Sequence, residues 1–143
     1  MAKQLNYTHE ITGKNYPQSY WTVCFYSLSK IGKQGTISLM GFSSKADSDA
    51  SKVNSALAPY LSIGNKSFNI NADAYNQYFI PAVLDAQGVD PVKQCYLFID
   101  SVKDIPVMGN IIVPADPKIV DSVDTTVFGI VDKISFFDGS LDV

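Results

Sequence analysis

The chain has 143 residues, of which 46% are apolar and 17% are charged, and its net charge is −3 at pH 7. A chain of this length buries enough surface to form one domain without help from metals or disulfides. All eleven basic residues are lysine, and without the bidentate grip of arginine or a basic stripe we expect no nucleic acid partner. The apolar runs are too short to span a membrane, so we expect no membrane partner either.

The low charge content leaves a surface rich in uncharged polar side chains, which suits contact with like subunits or sugars. Residues 1–84 carry seven lysines and four acids, a net charge of +3. The remainder carries four lysines and ten aspartates, a net charge of −6. This polarity indicates either head-to-tail contact between copies or a solvated face.

The chain begins without the apolar core of a signal peptide, which predicts synthesis in the cytoplasm. Residues 3–19 have little regular period and fit either an ordinary first strand or an arm that packs on a neighbour. We therefore expect a single β-rich domain over residues 1–143, with an N-terminal arm at residues 1–18 as the alternative to a first strand.

A β-hairpin is expected at the centre of the molecule. Residues 20–28 are β-branched and aromatic, residues 29–35 supply polar side chains and two glycines, and residues 36–43 resume the β pattern. Strict alternation would place Trp21, Val23 and Phe25 on one face of the first strand. Both faces are largely apolar, so the strand needs cover on both sides.

Residues 44–52 are small and polar and predict an exposed loop. The pair Asp47 and Asp49 could begin a calcium loop, but the glycine and distal carboxylate of such a loop are missing. Gly64-Asn65 predicts a turn, and residues 67–70 predict a short strand after it.

Two helices follow in the pattern. Asn71 is a candidate N-cap for a helix that Pro81 ends or kinks. Asp90-Pro91 is a clearer start signal, with an acceptor at the N-cap and proline at the first helical position. An apolar stripe at helical spacing then predicts a helix over residues 91–102 that covers one face of the sheet. The stripe consists of Val92, Cys95, Tyr96, Ile99 and Val102.

The sequence pattern from Ile105 to Phe137 is again typical of β-strands. Gly109-Asn110 predicts a two-residue turn inside this region, and residues 125–131 predict a strand. Phe136 and Phe137 would point to opposite faces if extended, so one of them would need a second cover.

No motif predicts an active site, a metal site or a cofactor. His9 beside Glu10 fits a surface pair better than an acid–base pair. The carboxylates of Asp116, Asp121 and Asp124 would support an enzyme only if they converged in a cleft. Cys24 and Cys95 lie in apolar patterns, which favours buried thiols, with a disulfide between them left open.

These elements predict a mainly β fold, a β-sandwich or small barrel of antiparallel strands with one or two short helices packed on the sheet. The chain resembles small structural proteins of tailed bacteriophage virions in the order of its features. They are an aromatic first strand (residues 19–23), a hairpin that ends near Gly41-Phe42-Ser43, a helix with a tyrosine (residues 94–99) and a short β tail (residues 136–139).

The resemblance implies a non-enzymatic virion component of the tail, baseplate or head–tail region, made in the host cytoplasm. It also implies a ring or symmetric oligomer whose partners are other copies and other virion proteins. Aromatic side chains dominate buried contacts, with core packing as the alternative role. The expected interface anchors are Tyr16, Tyr20, Trp21, Phe136 and Phe137. The alternative function is a monomeric β-sandwich module that stacks Trp21 or exposed tyrosines on glycans.

Overall fold

The computed structural model describes residues 2–86 and 88–143, and seven strands and five α-helices lie in them. The strands are β1 (Lys3–Thr8), β2 (Asn15–Ser29), β3 (Gln34–Phe42), β4 (Ser62–Ile70), β5 (Ile105–Val113), β6 (Thr125–Ile134) and β7 (Leu141–Asp142). The helices are α1 (Lys45–Val53), α2 (Ala58–Leu61), α3 (Ala72–Tyr78), α4 (Pro81–Leu84) and α5 (Pro91–Ser101), with a 3₁₀ turn at Ser55–Leu57.

Five strands form one antiparallel sheet in the order β4-β3-β2-β1-β7, and β5 pairs with β6 in a separate two-stranded sheet. The mainly β prediction with packed helices is confirmed. The five-stranded sheet is open and not a closed barrel. Of the two roles weighed for the amino terminus, the structure shows the first strand, because β1 pairs with both β2 and β7.

The predicted hairpin is the centre of the sheet, since β2 pairs with β3 from Tyr20 opposite Phe42 to Ser29 opposite Gln34. A bulge between Val23 and Phe25 shifts the alternation. Phe25 therefore pairs with the half-buried Ser38 on the outer face, and does not share the inner face with Trp21 as expected.

The inner face of the sheet holds the core, where Trp21, Ile37 and Leu39 are buried under α3, α5 and the residues after β6. The prediction of α5 is confirmed, because the Asp90 side chain accepts a hydrogen bond from the Val92 backbone N–H and caps the helix. Three residues of the predicted stripe are buried: Cys95, Tyr96 and Ile99.

The predicted N-cap at Asn71 is also confirmed, since its side chain accepts a hydrogen bond from the Ala74 N–H at the start of α3. The helix ends at Tyr78, and Pro81 begins the separate turn α4.

Residues 45–53 form helix α1, so the loop expected there is wrong. Ser44 caps the helix by accepting from the Asp47 N–H, and Lys45 pairs with Asp49 one turn later at 2.7 Å. Capping and the i,i+4 pair outweigh a composition of small polar residues. Helix α1 touches β2 and β3 and so covers part of the outer face.

Two expected turns lie inside strands. β4 runs through Gly64-Asn65, and β5 runs through Gly109-Asn110. Each glycine faces a glycine across its pair, Gly64 opposite Gly41 and Gly109 opposite Gly129. A glycine in a strand also marks a place where a neighbouring side chain approaches closely, and here that role overrides the turn signal.

Candidate interaction surface

Strands β5 and β6 form a hairpin that projects from the body, which we call the projecting hairpin (residues 105–134). Each of these strands makes most of its contacts with the other. Ile105 pairs with Ile134 at the base and Val113 with Thr125 at the far end. β-branched residues dominate both strands, which explains their extended conformation. A register shift between Val107 and Met108 marks a bulge near the base.

Both faces of the projecting hairpin are apolar. Gly109 and Gly129 leave space on one face for branched side chains, because a Cβ on Gly109 would be 3.0 Å from Cγ2 of Val131 and one on Gly129 would be 3.1 Å from Cδ1 of Ile111. This face also carries Val107, Val113 and Val127. The other face carries Met108, Ile112, Phe128 and Ile130.

These side chains are open to solvent: Phe128 is 72% exposed and Ile112 is 68% exposed. Of 21 large hydrophobic side chains exposed in the described residues, eleven belong to the projecting hairpin. They are Met108, Ile111, Ile112, Val113, Ile119, Val120, Val123, Val127, Phe128, Ile130 and Val131. An exposed apolar concentration of this kind marks a contact surface.

The usual protection against strand pairing is confined to the base of the projecting hairpin, where Pro106, Asp132, Lys133 and the bulge lie. Residues 107–113 and 125–131 contain no charged residue and no proline. Natural edge strands are normally shielded by charges, prolines or covering elements. A two-stranded hairpin is also marginally stable by itself in water. The projecting hairpin therefore has the character of a surface that another protein covers.

Three of the five residues expected as interface anchors are buried inside the monomer. Trp21 is 1% exposed, and Tyr20 and Phe137 are also buried, so burial inside the monomer, the alternative role, is what the structure shows for them. Tyr16 and Phe136 are partly exposed.

The structure gathers three of the five in one aromatic cluster. Phe136 and Phe137 do not point to opposite sides of a strand as expected, because β6 ends at Ile134 and both rings follow it in a turn. Their centroids lie 4.9 Å apart, and the Phe136 centroid lies 5.2 Å from that of Trp21. Tyr16 and Tyr20 lie outside the core cluster.

The carboxylates considered for catalysis hold the end of the projecting hairpin together. Asp124 Oδ1 accepts from the Ala115 N–H at 2.7 Å, and Asp116 Oδ1 accepts from the Lys118 N–H at 2.9 Å. Asp121 has a positive φ of 62° in the same loop. Aspartate commonly serves such turn roles.

The other residues considered for function are His9 and the two cysteines. His9 Nδ1 accepts from the backbone N–H groups of Ile11 and Thr12, each at 3.2 Å, and so closes the β1–β2 turn. The cysteines are both free, and Cys24 is exposed, which corrects the expectation of a buried thiol there, whereas Cys95 is buried.

Residues 2–86 and 88–143 contain no group of three or more His, Cys, Asp or Glu side chains arranged to hold a metal ion. No helix in this part of the chain is long and apolar enough to cross a membrane.

The sequence pattern alone does not identify the projecting hairpin as an interaction surface, because Gly109-Asn110 is typical of a turn whereas it lies inside β5. The signal was nevertheless present, since the two uncharged stretches carry nine aliphatic or aromatic side chains without a helical stripe to bury them. No protein-family model, curated protein or solved structure matches this chain.

Proposed function

We propose that this chain is a non-enzymatic structural component of a bacteriophage virion. In the proposal it assembles through its β-rich surfaces into a symmetric oligomer or ring in the tail, baseplate or head–tail region. The exposed apolar side chains of the projecting hairpin are the observation that supports self-assembly. The virion part depends on the resemblance of the sequence pattern to small virion proteins.

The apolar area of the projecting hairpin is of the size that a specific interface uses. Full burial of an aliphatic side chain removes roughly 60–120 Å² from water. The exposed fractions of the eleven side chains range from 37% to 87%, so together they offer roughly 400–700 Å². A standard interface buries about 800 Å² on each partner. The hairpin alone therefore supplies most of one side of such an interface.

The apolar character of both faces favours assembly over the binding of a small ligand. A ligand site is a concave pocket with a few polar groups, whereas the hairpin is a two-sided projection whose strand residues 107–113 and 125–131 lack charges. The glycan-binding alternative depended on an exposed Trp21 or a row of exposed tyrosines. The indole of Trp21 is 1% exposed and donates its Nε1–H to Ser19 Oγ at 2.9 Å within the core.

The test is the native mass of the protein over a concentration series, measured by light scattering coupled to size exclusion. We expect a species several-fold heavier than the 15.6 kDa chain. Replacing Ile112 and Phe128 together by serine should return the protein to the monomer, because these two side chains are the most exposed on the hairpin strands.

The matched control replaces Ile11 and Val53 by serine. Both are 90% exposed and lie outside the projecting hairpin, so this variant should assemble like the wild type. A wild-type protein that stays monomeric at all concentrations would contradict the self-assembly proposal. Equal loss of assembly in the control would show that general surface hydrophobicity, and not the hairpin, drives association.

A further inference from the structure

The loop that ends the projecting hairpin, residues 114–124, is an ordered acidic and apolar tip. Besides the two aspartate contacts described above, the Asp116 N–H donates to Ser122 Oγ at 2.8 Å and the Ile119 N–H donates to the Asp116 carbonyl at 3.1 Å. Three aspartates and one lysine give this tip a net charge of −2. Its exposed side chains are Ile119, Val120 and Val123, with exposed fractions of 61%, 87% and 70%.

The β2–β3 turn, residues 30–33, has the complementary properties. It carries Lys30 and Lys33, a net charge of +2, around Ile31, which is 99% exposed. Ser29 Oγ accepts from the Gly32 N–H at 3.0 Å and orders the turn. Neither lysine is in an ion pair with another described residue. An exposed aliphatic side chain between two free cations matches an apolar tip with surplus carboxylates.

The base of the projecting hairpin lies near the first residue of strand β2, whereas the β2–β3 turn follows the last residue of that strand. The base of the projecting hairpin meets the body where Ile105 and Ile134 line a cavity together with Thr8. Thr8 pairs with Asn15, the first residue of β2. The turn follows Ser29, the last residue of that strand. Complementary patches on two different elements of one chain suit a head-to-tail contact, which closes into a ring when the rotation between copies allows it.

We propose that the hairpin tip of one copy docks on the β2–β3 turn of a second copy. The proposal rests on self-assembly as the function and names the two surfaces that meet. Ile31 inserts among Ile119, Val120 and Val123, while Lys30 and Lys33 face the surplus carboxylates of the tip. Phe25, 56% exposed on the outer face of β2, extends the docking surface behind the turn.

A second copy is the occupant that the charges favour. The tip is anionic, so it is repelled by an anionic lipid surface, and the complementary cationic patch is present on every copy of the chain itself. An isologous contact of tip against tip would bring two charges of −2 together, which like-charge repulsion disfavours.

Two variants test the proposal, one with a disrupted hairpin tip and one with a disrupted β2–β3 turn. The tip variant carries Val120→Ser and Val123→Ser, and the turn variant carries Lys30→Glu and Ile31→Ser. All four side chains are exposed, so both variants should fold, which unfolding curves can verify. Each variant alone should need about tenfold higher concentration, or more, to assemble. The Ile11→Ser and Val53→Ser protein serves again as the control.

An equimolar mixture of the two variants gives the decisive result. The tip variant keeps an intact turn and the turn variant keeps an intact tip, so one junction forms between them and none beyond it. We expect a species of twice the 15.6 kDa chain mass and no larger one.

Normal assembly of the turn variant would overturn this inference while leaving self-assembly through the hairpin intact. Failure of the mixture to form the dimer, with each variant monomeric, would also overturn it. A wild-type protein that never assembles would overturn both this inference and the proposed function.

Discussion

The indole of Trp21 lies directly over Gly41 on the neighbouring strand. A Cβ atom on Gly41 would be 2.7 Å from both Cε2 and Cζ2 of the ring, closer than carbon atoms approach without displacement. Trp21 pairs with Gly41 in the ladder of β2 and β3, so the absence of a side chain on β3 makes room for the ring. The ring is also held by Phe136 and Tyr7, each with a centroid 5.2 Å away.

Replacing Gly41 by alanine should destabilise the protein by about 1–3 kcal/mol, the usual range for overpacking a core. The added methyl group meets the rigid indole, which is fixed on the other side by its hydrogen bond to Ser19. Urea unfolding followed by the fluorescence of Trp21, the sole tryptophan, measures the change.

Gly64→Ala is the matched control for this prediction. A Cβ there would be 3.4 Å from Cη2 of the same indole and 3.5 Å from the Tyr7 hydroxyl, which are ordinary contacts. Its free energy of unfolding should stay within about 1 kcal/mol of the wild type. Equal destabilisation by both alanines would argue that strand conformation, and not the approach of Trp21, decides the effect.

The hydroxyl of Tyr96 accepts a hydrogen bond from the backbone N–H of Val23 at 2.9 Å. Strand β1 pairs with β2 as far as Lys3 opposite Trp21, and two residues further along β2 the Val23 N–H finds its acceptor on α5. Tyr96→Phe should cost about 1–3 kcal/mol, because it leaves a part-buried donor without its partner. Exchange of the Val23 amide hydrogen should also become faster than in the wild type.

Tyr75→Phe provides the comparison for Tyr96→Phe. Tyr75 is also a buried ring on the inner face, but its hydroxyl makes no hydrogen bond to another described residue. We expect its unfolding free energy to change little. Unchanged Val23 exchange in Tyr96→Phe would show that water or another group replaces the hydroxyl.

The sequence predicted the elements whose signals are local. The Asp90-Pro91 start of α5, the Asn71 cap of α3 and the aromatic hairpin were all confirmed, because capping and alternation act over a few residues. The bulge at Cys24 was not predictable, since it depends on how β2 fits β3, and it moved Phe25 to the outer face. The local pattern at Gly64 and Gly109 indicates turns, because their partners across the sheet, Gly41 and Gly129, are distant in sequence.

The two thiols should differ in reactivity. Cys24 is exposed and its thiol donates to the Ser38 carbonyl at 3.3 Å. Burial of Cys95, with a smaller contribution from the charge of Asp90, raises the pKa of its thiol to about 11, so little thiolate forms near neutral pH. A thiol-reactive disulfide reagent at pH 8 should modify one thiol per native chain and a second after unfolding. The Cys24→Ser variant should lack the fast reaction, whereas two fast thiols in the wild type would contradict the buried position of Cys95.

The ammonium group of Lys3 joins the first strand to the carboxyl-terminal part of the chain. It lies 2.6 Å from Asp100 Oδ2 on α5 and 2.6 Å from Asp142 Oδ1 on β7, and the Lys3 side chain is 5% exposed. Burial alone would lower the pKa of Lys3, but the hydrogen bonds to the two carboxylates outweigh it and raise the pKa above 10.5. Lys3→Met should therefore destabilise the fold at pH 7 by about 1–2 kcal/mol, less than for a fully buried pair because both carboxylates are partly exposed.

The pH dependence of this difference has a definite sign. Because the pKa of Lys3 is higher in the folded than in the unfolded state, its contribution is fully present below the unfolded lysine value of about 10.5 and is lost as the pH rises through the folded pKa. The difference in unfolding free energy between wild type and Lys3→Met should thus be constant from pH 7 to about 10 and shrink above it. Lys93→Met, a change of the same kind at an exposed position of α5, should show a small difference at every pH. A wild-type advantage over Lys3→Met that persists unchanged beyond the folded pKa would mean that the lysine stem, and not its charge, stabilises the junction.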